Sequence, residues 1–90
     1  HSAMNMRDCK RLKLGAMVRE AYEASGANTL GMVVHKEYVE ETHYAKILGG
    51  RKQKRYDVWV HWFKQPFYRR SRPNPDKLQC WEVKLIKNGE

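Results

Sequence analysis

Three short apolar runs, each closed by turn or charge signals and with almost no helical periodicity between them, set what this chain can fold into. They are Leu30-Gly31-Met32-Val33-Val34, Tyr56-Asp57-Val58-Trp59-Val60-His61-Trp62-Phe63 and Cys80-Trp81-Glu82-Val83-Lys84-Leu85-Ile86, preceded by the shorter Ala16-Met17-Val18-Arg19. Side chains on a strand alternate between two faces, so runs of this length and alternation predict a small antiparallel sheet rather than a helical bundle. The third run is the clearest. It places Tyr56, Val58, Val60 and Trp62 on a core face and Asp57, Trp59, His61 and Phe63 on the opposite one.

The other strands follow from the same period. A first strand is expected over residues 12–22, where Leu14, Ala16 and Val18 alternate with Lys13, Gly15, Met17 and Arg19, although residues 17–24 also contain good helix formers. Ser25-Gly26-Ala27-Asn28 is the natural turn before a second strand over 30–41. Gly31 inside that strand signals a bulge or tight bend. Residues 42–50 read equally as one helical turn or as further strand, and the basic cluster at 51–55 is expected at a hairpin tip. The third strand runs over 56–64 until Gln65-Pro66, since proline cannot donate to the ladder. A loop over 66–79 and a final strand over 80–87 complete the order, with Trp62 and Trp81 expected in the core.

Ninety residues make one domain whose core is modest, because a chain of this size buries only about 60–65% of its unfolded surface. The leading His1-Ser2-Ala3-Met4 reads as a tag remnant, leaving a single domain over 5–90. No stretch approaches the roughly 20 apolar residues of a membrane span, and no signal-peptide pattern follows the start, so no membrane partner and a cytoplasmic location, in a cell or a phage-infected host, are expected. On that basis Cys9 and Cys80 are expected as free thiols. His35, His43 and His61 with either thiol lack metal-ligand spacing, and neither a metal nor any other cofactor is expected.

Charge is distributed unevenly. Residues 51–90 hold 11 basic and 4 acidic residues, an excess of seven out of the net +8. A positive surface attracts phosphate and gains from counterion release. Two basic segments stand out, Arg51-Lys52-Gln53-Lys54-Arg55 and Arg69-Arg70-Ser71-Arg72, the second beside Phe67 and Tyr68. Arginine forks grip phosphate and rings stack on bases. Arg51, Lys52, Lys54, Arg55, Arg69, Arg70 and Arg72 are therefore the expected phosphate contacts, and Tyr68 and Trp59 the expected stacking residues. The charges of the two segments add if both project from the same end of the fold.

The order of elements resembles an SH3-like small β-barrel of the KOW and Tudor type, also found in short phage-encoded proteins. The resemblance spans residues 14–86 and rests on Leu14-Gly15-Ala16-Met17-Val18-Arg19, Leu30-Gly31-Met32-Val33-Val34, Tyr56-Asp57-Val58-Trp59-Val60-His61-Trp62 and Trp81-Glu82-Val83-Lys84-Leu85-Ile86. It implies a mainly β fold, a single barrel of four to five antiparallel strands with room for one short helical turn. Barrels of this kind bind nucleic acid, peptides or other subunits, so the fold alone does not choose among them.

The expected function is non-catalytic binding of DNA or RNA through the phosphate backbone. The alternative is a protein-interaction or virion accessory module, docking through exposed aromatics or an edge strand, with homodimerisation as an extension. Catalysis has one remaining route, by resemblance to the MazF-like toxin ribonucleases, with His61, Arg69 or Arg70 and Glu82 as base and phosphate clamp. No nucleophile elbow, phosphate-cradling glycine loop or metal spacing supports another enzyme class.

Overall fold

The computed structural model describes residues 4–22, 29–42, 52–64 and 71–89. The chain folds as α1 (Met6–Arg11), β1 (Met17–Glu20), β2 (Leu30–Thr42), β3 (Lys52–Lys64), β4 (Asp76–Gln79), a 3-10 turn (Cys80–Glu82) and β5 (Val83–Lys87). All strand pairings are antiparallel, in the order β4-β3-β2-β1-β5. β4 and β5 are joined by only three residues yet occupy opposite edges of the sheet, which is possible only if the sheet coils back on itself. The two edges do not pair, so the expected closed barrel is instead an open, coiled five-stranded sheet.

The alternation in β3 sorts its side chains as expected: Val58, Val60 and Trp62 are buried, joined by Val18, Val33, Leu78 and Val83 from the other strands. Five of these are fully buried valines, the β-branched residues that a pleated sheet accommodates best. Gly31 lies where β2 shifts register against β3. A Cβ there would collide with Val60 and come within 2.8 Å of Trp62, so the strands approach closely only because the side chain is missing. Beyond the end of the β3–β4 pairing, the Asn74 side chain takes over the ladder, its Oδ1 accepting from Trp62 N at 2.9 Å and its Nδ2 donating to Trp62 O at 3.2 Å.

Several expectations are corrected. The residues ahead of the first strand contain α1, a six-residue helix capped by the Asn5 side chain, which accepts from Asp8 N at 2.9 Å. Met4 packs into the core at 6% exposure. The first strand spans only Met17–Glu20. The stretch expected as loop contains β4, and the last strand begins at Val83 rather than at residue 80. The 3-10 turn breaks the alternation there and turns Trp81 out to 48% exposure, so Trp81 is not core. Its indole N–H instead donates to Gln79 Oε1 at 2.6 Å.

The two cysteines are not free thiols. Cys9 on α1 and Cys80 in the 3-10 turn are both buried and joined in a disulfide across a sequence separation of 71. The expectation of thiols rested on compartment alone. The fold brings the two elements together over the core, and Lys36 ties down the same helix by donating to the carbonyls of Cys9, Lys10 and Leu12 at 3.1, 3.0 and 2.8 Å. Burial lowers the Lys36 ammonium below its ordinary range.

Candidate nucleic-acid interface

The sheet has one face on the core and one turned outward. The outer face is built in rows, because residues opposite one another on neighbouring strands stand side by side. Lys77 of β4, Trp59 of β3 and His35 of β2 form one row. His61 of β3 stands opposite Met32 of β2, which stands opposite Met17 of β1. Farther on, Arg19 of β1 stands opposite Lys84 of β5.

Within these rows the rings make two edge-on pairs. His35 and Trp59 lie 4.7 Å apart between centroids at 62°, and His61 and Phe63 lie 5.2 Å apart at 76°. The Lys77 ammonium sits 5.4 Å from the centroid of Trp59, in cation–π range. Phe63 is 57% exposed, whereas Trp59 is half-buried between its neighbours.

Acidic residues concentrate at the other end of the β2–β3 hairpin. Asp57 is on the outer face yet only 2% exposed, because Arg55 and Lys77 cover it: Arg55 Nε donates to Asp57 Oδ1 at 3.0 Å and Lys77 Nζ lies 3.8 Å from Oδ2. Arg55 also pairs with Glu41 at 3.0 Å, and hydrogen bonds to Glu41 and then to Asp57 raise its pKa further. Past Asp57, the outer positions from Trp59 to Phe63 on β3 and from Met32 to His35 on β2 bear no carboxylate, nor do those of β1 and β5 beside them. The outer face therefore has a neutralised end and an aromatic, cationic end.

The described members of the expected site occupy separate places on this frame. Arg51, Arg69, Arg70 and Tyr68 lie outside the described residues, as does the side chain of Lys52. Lys54 and Arg55 are not at a hairpin tip but paired within the β2–β3 ladder, opposite Glu40 and Val39. Lys54 Nζ is 3.7 Å from Glu40, and Arg55 is held by two carboxylates, which makes it a structural cation rather than a free phosphate ligand. Arg72 Nε lies 3.2 Å from the buried Asp76. Of the described members, Arg72 is held at Asp76, which stands opposite Val60, while Lys54 and Arg55 lie five to six positions away, about 16–20 Å along β3.

Trp59 lies where expected, on the face opposite the core. His35, His61, Phe63 and Lys77 are the residues that accompany it. All four share a strand parity or a register row with Trp59, a signal that alternation alone reveals for His61 and Phe63 but that needs the register for His35 and Lys77.

Of the residues named for a ribonuclease, Arg69 and Arg70 lie outside the described residues, and the described His61 and Glu82 stand apart. Glu82 Oε2 accepts from Gln79 N at 2.8 Å as part of the 3-10 cap, and Gln79 stands opposite Asp57, four positions or about 13 Å along β3 from His61. A groove of about 470 Å³ lies elsewhere, between α1, the start of β3 and the 3-10 turn. It is lined by Met4, Met6, Tyr56, Trp81 and the disulfide, with Lys54 at its rim. Compared with known proteins, the chain matches no family, no curated protein and no solved structure.

Proposed function

We propose that this protein is a non-catalytic nucleic-acid-binding module of SH3-like architecture that engages the phosphate backbone with the cationic end of its outer sheet face. The SH3-like reading is supported by the strand order and by the 3-10 turn joining two strands at opposite edges of a coiled sheet. The function is carried by one observation: the half of the outer face holding Trp59, His61 and Phe63 is flanked by Lys77, Arg19 and Lys84 and has no carboxylate among its described residues. Arg19 and Lys84 stand directly opposite one another, an arrangement that costs stability in isolation and is relieved by an anion placed between them. Lys54, Arg72 and Lys77 are more than half exposed and add phosphate contacts of lower weight than Arg19 and Lys84, because each already has a carboxylate partner. Arg51, Lys52, Arg69 and Arg70 contribute further positive charge.

Retention of a labelled oligonucleotide across a salt series tests this reading. The affinity should fall steeply with salt, and Arg19→Ala with Lys84→Ala should flatten the slope by about two released counterions. Salt-insensitive retention, or a slope unchanged in the double variant, refutes it.

The groove beside Trp81 favours a second reading, an apolar side chain of a protein partner seated against Met6, Tyr56 and Trp81. A partner lost on Trp81→Ala but retained by the Arg19/Lys84 variant would support it. A cytoplasmic setting belongs to the proposal as well. A reducing cytoplasm would hold Cys9 and Cys80 as thiols, so alkylation of the pair in cells tests that setting.

A further inference from the structure

Resting on the nucleic-acid reading, we infer that the outer face selects single strands, with bases stacking on the Phe63 and His35 rings. The edge-on packing supplies the reason. Trp59 is flanked by His35 and by the Lys77 ammonium, so it braces the site rather than offering a free face. Phe63 meets His61 at 76°, a geometry in which the two rings cannot stack on each other, and Phe63 is 57% exposed. His35 is exposed and meets Trp59 at 62°, so it too is not consumed by stacking on its neighbour.

Spacing narrows the ligand further. His35 stands opposite Trp59, and Phe63 is four residues along β3, which separates the two stacking rings by about 13 Å along the strand. Successive bases in a duplex strand are only about 3.4 Å apart and show their flat faces to one another, not to a protein. A chain that presents two base faces about 13 Å apart is an unstacked single strand. Lys77, beside Trp59 on the same outer face, stands at one end of that path, where the backbone of the strand would pass. Stacking on rings tolerates any base, so the preference is for strandedness rather than for sequence.

The test is a fluorescence-anisotropy titration of the whole chain with a labelled oligothymidylate and with the same oligonucleotide annealed to its complement. The single strand should bind more tightly. Phe63→Ala should weaken single-strand binding by about 5- to 150-fold while leaving duplex binding unchanged. Because Phe63 lies outside the core, the thermal midpoint of the variant should match that of the parent. Equal affinity for both forms, or a duplex preference, or a Phe63→Ala variant that binds the single strand like the parent, would overturn this inference while leaving phosphate-backbone binding standing. Binding to neither form would overturn the nucleic-acid reading itself.

Discussion

Replacing Cys9 and Cys80 together by alanine tests how far this small fold depends on a covalent tie. The bridge spans a sequence separation of 71, and the chain-entropy relation assigns closure of a loop of that size about 4.4 kcal/mol at 25 °C. A domain of ninety residues has a total stability of about 5–13 kcal/mol, so loss of the bridge removes between a third and most of it. With a urea m-value of about 1.5 kcal/mol/M, the unfolding midpoint should drop by about 3 M. Intrinsic tryptophan fluorescence reads the transition through the buried Trp62. Limited trypsin digestion adds a local readout. Without the bridge, α1 is held by the Lys36 hydrogen bonds and by packing of Met4 and Leu12, so cleavage after Arg7, Lys10 or Arg11 should appear first. A midpoint that moves by less than about 0.5 M would refute the reasoning, because it would mean that the unfolded chain gains almost no freedom when the bridge is absent.

Three further outcomes follow from particular contacts. Gly31→Ala should cost about 1–3 kcal/mol by driving a Cβ into Val60 and Trp62, read as a fall in thermal midpoint; an unchanged midpoint would show that β2 and β3 can separate there without loss. Lys36→Met should destabilise by about 1.5–3 kcal/mol because three carbonyls lose a charged donor. Since burial holds the Lys36 ammonium below its ordinary range, the unfolded chain binds more protons between the lowered value and the ordinary one. Stability should therefore gain from this group as pH rises through that window, and the gain should vanish in Lys36→Met. Asp57→Asn should lower stability by about 1–3 kcal/mol, since Arg55 and Lys77 lose a buried carboxylate, yet tighten oligonucleotide binding at low salt; weaker binding would place Asp57 among the ligand contacts.

What the sequence makes legible is what alternation encodes. β3 and its two faces, the bend at Gly31 and the outward position of Trp59 all follow from period-two patterning, and they hold in the structure. Patterning is silent where other forces decide. α1 has too few turns to show an apolar stripe and is fixed by a bridge and by Lys36, both long-range. β4 has one apolar residue, Leu78, in a stretch preceded by two prolines, so nothing local distinguishes it from loop. Trp81 departs from its face because a 3-10 turn shifts the phase by one residue, and its neighbour Gln79 caps that turn. The basic residues mislead for a related reason. Composition counts charges, but Arg55 is held by Glu41, which the strand register brings near it, and by Asp57 two residues on, and Arg72 is held by Asp76 four residues on.

Placement of the ligand on the outer sheet face is tested most directly by two-dimensional ¹H–¹⁵N correlation spectra of the labelled protein during titration with a short oligothymidylate. The account predicts that amide signals of His35, Trp59, His61 and Phe63, together with the indole N–H of Trp59, shift in step with saturation, while those of Met6 and Trp81 stay fixed. Shifts confined to the groove around Met6, Tyr56 and Trp81, with the outer face unmoved, would contradict it.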